Sequence, residues 1–302
     1  MSTIGFIGLG GMGSAMVGRL LDKGFDVVVW NRSKSAIAPV VERGAREAAD
    51  VDEVMATGRV LSILAHDVAF RAVFTPEVLA AAPDGCMHAN LATVSVAAAA
   101  DFAAVHESAG VGYLAAPVIG RPPVAAAGQL DIVVGGSTEA SEALREPLSA
   151  LAKKIWPVGE RPSAANTAKI GINYLIIHAL QAMAESVTLV ERSGIDPSAF
   201  VELASNSLFP GPVYGGYGAM IAESRYTPAG FSAELGLKDL RLARQAASDV
   251  DVELPTAAVL EELFVEAVEA GADLDWAAVA EVTRRLAAGA ATIATTAEGS
   301  KP

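Results

Sequence analysis

Lys169 stands in the stretch NTAKIGINYLII, residues 166–177, inside what otherwise reads as the middle of an apolar helix. An ammonium buried without a partner is costly, so a lysine at this place requires a compensating interaction or a task. On a helix Asn166, Lys169 and Asn173 fall at i, i+3 and i+7 and share one face. A lysine held there is partly desolvated, which favours its neutral form. Such a group can give a proton to a carbonyl oxygen as hydride arrives, or take one back in the reverse direction. The amide of Asn173, one turn on, can orient the lysine or a substrate oxygen. The structural alternative is a lysine that snorkels from the start of a helix.

A second chemical feature lies at the start of the chain, in GFIGLGGMGSAM. It contains Gly8-x-Gly10-x-x-Gly13, with Leu9, Gly11 and Met12 between the glycines, after a strand-like run and at the opening of a helical one. In that setting Gly8 permits a tight turn, Gly10 lets the backbone approach a pyrophosphate, and Gly13 lets helix and strand pack closely. The helix N-terminus then offers free N–H groups to the anion. The end of the next strand, VVVWNRSKS, distinguishes the two dinucleotides. An acidic residue there would bind the ribose hydroxyls of NAD, but Asn31 is neutral and is followed by Arg32, Ser33 and Lys34. A 2′-phosphate would meet cations and hydroxyl donors, so NADP(H) is expected over NAD(H); the alternative is that Arg32 and Lys34 form a solvated turn.

The elements that must position these residues fall into two groups. Up to about residue 160, short apolar runs (TIGFIG, FDVVVWN, RVLSIL, CMHANL, VGYLAAPV, LDIVVGG) alternate with helical patterns, as in strands covered on both faces. Residues 1–162 are therefore expected to form a Rossmann-type, doubly wound parallel α/β domain. Residues 163–302 contain helical patterns and no convincing strand, and are expected to form an all-helical domain. Its first helix, residues 164–192, is apolar on nearly every side, and at ~1.5 Å per residue would exceed about 40 Å. Such a helix must be packed all round, by other helices or by a second subunit. Asp196 and Pro197 read as N-cap and first residue of the next helix. Gly271 and Gly289 read as glycines closing the last two, and the tail TTAEGSKP as frayed.

Composition removes other classes. A formal net charge of −13 repels nucleic-acid phosphates and anionic lipid, so neither partner is expected. Cys86 is the sole cysteine, which rules out an internal disulfide or a thiolate metal cluster. The four histidines, His66, His88, His106 and His178, have no ligand spacing, so no metal is expected. There is no G-x-S-x-G elbow. Met1–Ile7 lacks the features of a secretory signal, and the apolar run 170–184 is too short and too polar to span a membrane. A cytoplasmic location is expected. Asp131, at the start of LDIVVGG, is expected to lie exposed or hydrogen-bonded at the strand edge.

With these motifs in place, nearly the whole chain resembles the β-hydroxyacid dehydrogenase family, relatives of hydroxyisobutyrate, tartronate-semialdehyde and phosphogluconate dehydrogenases. The resemblance rests on GFIGLGGMGSAM, YLAAPVIG followed by GQLDIVVGG, Lys169-x-x-x-Asn173, and FSAELGLKDLRLA. It implies that the glycine turn binds the cofactor, that Lys169 is the catalytic acid/base, and that Asn173 positions the substrate. It further implies that Leu64, Ala65 and Thr93 line the nicotinamide end, that Lys238 approaches it from the helical domain, and that Phe231 packs near the same cleft. A homodimer through helix 164–192 and the C-terminal domain is also implied.

The sequence departs from the family in AAPVIGR, residues 115–121, where Ile119 replaces the serine and Arg121 the second glycine of a substrate-carboxylate grip that includes Gly120. The substrate either lacks the carboxylate and meets an apolar wall, or Arg121 supplies a bidentate cation in its place. Tyr214 and Tyr217, with Phe209, are candidates for an aromatic lid or for a packed loop. The expected activity is NADP(H)-dependent hydride transfer to or from a small carbonyl or alcohol carbon in a β-hydroxyacid, semialdehyde or aldehyde. Imine reduction is the alternative within enzymes, and a non-catalytic dinucleotide sensor the alternative outside them.

Overall fold

The structure is a computed structural model that describes residues 2–298, with side chains described to residue 289. It divides into two compact units, Met1–Ile170 and Gly171–Pro302. The expected boundary at 162/163 marks the start of the long helix Pro162–Arg192, whereas the units divide about two turns further along it.

The first unit is built on one sheet. Its strands are β1 (Thr3–Ile7), β2 (Asp26–Trp30), β3 (Arg46–Glu47), β4 (Arg59–Ser62), β5 (Met87–Asn90), β6 (Gly112–Ala115), β7 (Val118–Ile119), β8 (Leu130–Gly136) and β9 (Ala152–Pro157). From β3 through β2, β1, β4 and β5 to β6 all pairs are parallel. The order reverses between β1 and β4, because the chain first builds outward through β2 and β3 and then returns to extend the other side. β8 runs antiparallel to β6 and β7 in a single register, with Leu114 opposite Gly136 and Ile119 opposite Asp131. β6 and β7 are thus two halves of one strand interrupted at Pro117, which has no N–H to give but accepts the N–H of Val133 through its carbonyl. β9 extends the sheet beyond β8. Its composition, AKKIWP, hides it as a strand; Lys154 stacks on Trp156, and Trp156 Nε1 donates to Asp131 at 2.8 Å, so Asp131 is hydrogen-bonded as expected, although its strand is paired on both sides and is not the edge.

Apolar residues on both faces of these strands supply two cores. One gathers Ile4, Phe6, Val27 and Leu61 under the helix Gly11–Asp22, and the other gathers Ile7, Val28, Val60, Phe70 and Phe102 on the opposite face. The second unit is helical among the described residues, with one core around Ile177, Leu180, Leu240, Phe264 and Trp276. Asp196 caps the helix Pro197–Ser207, with Pro197 in its first turn, as the sequence requires. Of the two glycine stops, the one at Gly271 occurs within a residue of its expected place and the one at Gly289 does not. Gly271 is the last residue of its helix and Ala272 the cap, because Leu274 folds back over the glycine. Gly289 lies inside the helix Val279–Glu298, which runs on through alanine-rich sequence of high helix propensity. Of the tail expected to fray, residues 295–298 belong to that helix, and residues 299–302 lie outside the described residues. No helix among the described residues is long and apolar enough to cross a membrane.

Two of the histidines that looked scattered in the sequence meet in the core of the first unit. His106 Nδ1 is 2.7 Å from the carbonyl of Phe102, His88 Nδ1 is 2.8 Å from His106 Nε2, and His88 Nε2 is 2.8 Å from Ser62 Oγ. A carbonyl can only accept, so His106 carries its proton on Nδ1, His88 donates to His106, and the Ser62 hydroxyl donates to His88. Both rings are neutral. Burial lowers the pKa of His88, with a further push from His106, and brings His106 down to about 4. Because unfolded histidine titrates near ~6.5, the unfolded chain binds these protons first as pH falls. This contribution to stability is therefore complete above about pH 6.5 and is lost between there and about 4. Thermal midpoints recorded from pH 7 to pH 4 are expected to fall less steeply for a His88→Val/His106→Leu double variant than for the parent chain.

Candidate functional site

In a doubly wound sheet, ligands sit at the C-terminal ends of the strands where the order reverses. Here that point lies between β1 and β4. The connections that leave the sheet on this rim include Gly8–Gly10 after β1, Ile63–His66 after β4, and Leu91–Val94 after β5. They carry the glycine turn, Leu64 and Ala65, and Thr93.

Packing dictates the glycine turn. Gly8 adopts φ +98°, and a Cβ on it would lie 2.2 Å from the carbonyl oxygen of Ile63. A Cβ on Gly13 would lie 1.9 Å from the carbonyl oxygen of Gly8. Gly10 differs, since a Cβ there meets nothing within 4 Å, and it caps the helix Gly11–Asp22 with no side-chain hydrogen bond. The first turn of that helix contains no acidic residue. Uncapped N–H groups thus face open space at a helix N-terminus, an arrangement that fits the pyrophosphate of a dinucleotide. Leu9 and Met12 point the other way and pack into the core beneath.

Asn31, at the end of β2, has both ends of its amide engaged. Oδ1 accepts the Leu9 N–H at 2.9 Å, and Nδ2 donates to the Ser33 carbonyl at 3.0 Å. It therefore ties the glycine turn to the loop carrying Arg32, Ser33 and Lys34, all of them exposed. Lys34 is paired with Glu47 of β3, and the Ser33 hydroxyl with that of Ser35. Among the described residues Arg32 has no ion-pair partner, which leaves its guanidinium available to a phosphate.

Lys169 is buried, 8% exposed, on the first turns of the long helix. One turn earlier, Asn166 is fully buried and accepts the Val94 N–H at 3.1 Å, which fastens this part of the helix to the connection after β5. Ile119 is the last residue of β7 and Gly120 and Arg121 follow it: Ile119 is half-buried, Gly120 sits at φ +147° in a place where a Cβ would strike Leu130, and Arg121 precedes the short helix Pro122–Ala126.

The second unit holds the remaining candidates. Asn173 is buried and donates its amide to Asp239, itself 2% exposed. Lys238 Nζ lies 3.2 Å from the other oxygen of Asp239, off the axis of a hydrogen bond, so this contact is Coulombic. Sequence reading missed Asp239, although a signal exists: it falls at i+3 from Gly236 and i−4 from Ala243, on the buried face of the helix Ala233–Ser248. Asp275 was missed too. Its carboxylate accepts the N–H groups of Gly230, Phe231 and Ala277, so it shapes the segment entering that helix. Phe231 packs on Trp276, ring centroids 4.6 Å apart, as does Tyr217 at 5.7 Å. Tyr217 is thereby a packed residue, whereas Tyr214 stacks on the exposed Phe209. Both tyrosines belong to a π-helical turn, Val213–Tyr217. No cluster of metal-ligating residues occurs among the described residues, and His66 serves as N-cap of the helix Asp67–Val73.

Residues 3–159 match the NAD binding domain of 6-phosphogluconate dehydrogenase, and residues 163–283 the NAD-binding domain of NADP-dependent 3-hydroxyisobutyrate dehydrogenase. This chain belongs to the β-hydroxyacid dehydrogenase family. An uncharacterised oxidoreductase of Bacillus subtilis, YfjR, is 39% identical over 91% of this chain and 98% of its own length. The chloroplastic glyoxylate/succinic semialdehyde reductase 2 of Arabidopsis thaliana is 31% identical over 93% of this chain and 79% of its own. Among solved structures, the 3-hydroxyisobutyrate dehydrogenase of Mycobacterium tuberculosis superposes with a TM-score of 0.85 at 28% identity, covering 94% of this chain and 99% of that one. An imine reductase from Pseudomonas sp. shares the fold, at a TM-score of 0.62 and 22% identity over 93% of this chain and 99% of that one. As a member of this family the chain is an NAD(P)-dependent oxidoreductase of the hydroxyacid and semialdehyde type.

The glycine turn separates folding from binding in a testable way. Gly13→Ala is expected to lower the thermal midpoint and cofactor affinity together. Gly10→Ala, at φ −71° with open space around its Cβ, is expected to keep the midpoint and still lose roughly tenfold or more in NADPH affinity by titration calorimetry.

Proposed function

We propose that this oxidoreductase prefers NADP(H) and moves hydride between the nicotinamide and the carbonyl or alcohol carbon of a small β-hydroxyacid, semialdehyde or aldehyde, with Lys169 as general acid and base. The observation that carries the reading is a lysine 8% exposed on the same helix face as the buried Asn173, in a segment fastened to the rim of the switch point. When bound, the nicotinamide supplies or receives the hydride. In reduction Lys169 gives a proton to the carbonyl oxygen as that oxygen gains charge; in oxidation it takes the hydroxyl proton. Asn173, held by Asp239, orients the substrate oxygen. Leu64, Ala65 and Thr93 form the wall at the nicotinamide end.

Arg32 supports the NADP preference, since it is exposed and without an ion-pair partner among the described residues, whereas Lys34 must leave Glu47 to take part. Reduction is the favoured direction because the cytoplasmic NADP pool is held reduced. Ile119 supports a substrate that meets an apolar wall where relatives bind a carboxylate, with Arg121 as the cation for one that keeps it. Ile119 is also the feature that favours imine reduction as a second reading, while Lys169 with Asn173 favours carbonyl chemistry.

A homodimer through the long helix belongs to the same proposal. Leu175 and Leu189, both on that helix, are about seven-tenths exposed. The parent chain is expected to sediment as a dimer and a Leu175→Glu/Leu189→Glu variant as a monomer.

The test of the activity is a pair of variants assayed with NADPH and a panel of glyoxylate, succinic semialdehyde, simple aldehydes and cyclic imines. Lys169→Ala is expected to abolish carbonyl reduction with NADPH binding intact; undiminished turnover would remove the lysine from the mechanism. Arg32→Ala is expected to weaken NADPH about tenfold or more while leaving NADH nearly unchanged, and equal weakening of both would remove the NADP assignment.

A further inference from the structure

We infer that Asn166 is a positioning residue for the Lys169 amine, and that a neutral side chain is required at its place. This rests on the reading of Lys169 as acid and base. Asn166 shows no accessible surface, and its Oδ1 accepts the N–H of Val94 at 3.1 Å across 72 residues of sequence. Val94 directly follows Thr93 in the connection leaving β5, and Lys169 lies one turn beyond Asn166 on the same helix face. The bond therefore fixes the height and rotation of the lysine-bearing turn against the strand end where the nicotinamide wall is expected. A shift of about 1 Å in such a group costs on the order of a hundredfold in rate.

The other end of the amide shows what this arrangement gives up. Asn166 Nδ2 is buried and has no hydrogen-bond partner among the described residues. An unpaired buried donor is unfavourable, and its presence calls for a reason. Aspartate would accept the same N–H with no orphaned donor. It would also set a carboxylate one turn from Lys169, which holds the amine in its ammonium form and removes the base needed in the oxidative direction. Serine or threonine would turn its hydroxyl to the helix carbonyl one turn back. Asparagine is the side chain that reaches Val94 as an acceptor and adds no charge beside the amine.

The experiment compares full-length Asn166→Ala, Asn166→Asp and Lys169→Ala, using NADPH with succinic semialdehyde for turnover and acetic anhydride as a lysine label read by peptide mass spectrometry across pH. Asn166→Ala is expected to lower kcat about tenfold or more with little change in KM for NADPH. Asn166→Asp keeps the bond to Val94, so it is expected to fold even where the alanine variant does not. In it the labelling curve of Lys169 and the pH profile of kcat move together to higher pH, while labelling of the exposed Lys153 stays in place, and activity is recovered on the alkaline side. An unmoved Lys169 curve in Asn166→Asp, or a folded Asn166→Ala with parental kcat, overturns the proposal. Turnover by Lys169→Ala at the parental rate instead overturns the acid/base reading, and the labelling curve then still reports whether residue 166 controls the amine.

Discussion

Nothing larger than a hydrogen fits between Gly13 and the carbonyl of Gly8, and the first unit is organised around that restriction. The approach brings the helix Gly11–Asp22 against β1 at the point where the strand order reverses. It leaves the first N–H groups of the helix facing outward with no side chain to cap them. A bulkier residue at position 13 would push the helix away and the turn would lose its shape. A bulkier residue at position 10 would leave the fold alone and obstruct what approaches it. Close packing and an open helix N-terminus thus rest on different glycines of one short motif.

Neutral amides do the fastening around this turn. Asn31 joins the β1 connection to the β2 connection, and Asn166 joins the long helix to the β5 connection. An amide both donates and accepts, so it can tie two backbone segments without adding a charge at the glycine turn or beside the Lys169 amine. Where charge is buried, it is compensated: Asp239 has Asn173 and Lys238 against it, and Asp275 takes three backbone N–H groups. The exposed cations Arg32 and Lys34 are kept to the rim, where desolvation costs little.

Legibility in the sequence followed distance along the chain. Gly8, Gly10 and Gly13 could be read because their roles concern their immediate neighbours, and Lys169 because a lone charge in an apolar helix breaks a local pattern. The partners of these residues could not be read in the same way. Asn31 reads as a cofactor ligand, yet its amide is engaged by Leu9 and Ser33; His88 and His106 look unrelated until β5 and the helix Val96–Ser108 bring them within 2.8 Å. Asp239 stands beside Lys238 in LKDL, and only its place on the buried face of the helix distinguishes it from a solvated acid. Gly289 failed as a helix stop because glycine ends a helix only when the residues after it prefer another conformation, and the residues that follow it here are good helix formers. β9 is hidden in the sequence because a shift in its pairing with β8 leaves the neighbours Lys153 and Lys154 both exposed, so AKKIWP shows no alternation.

The net charge of −13 poses a last question, since the dinucleotide is itself an anion. At physiological ionic strength charges are screened over about 8 Å, so the acidic surface as a whole acts weakly on a ligand already at the rim. The positive potential at the strand ends is local: an uncapped helix N-terminus with no acidic residue in its first turn, and the exposed Arg32 on the loop after β2. Lys34 is tempered by Glu47, so the cationic character of the loop is concentrated in a single planar group suited to bidentate contact with a phosphate. An acidic protein can therefore hold an anion where its backbone, rather than its side chains, supplies most of the positive potential. This returns the burden to the glycines, because only a turn without side chains exposes that backbone.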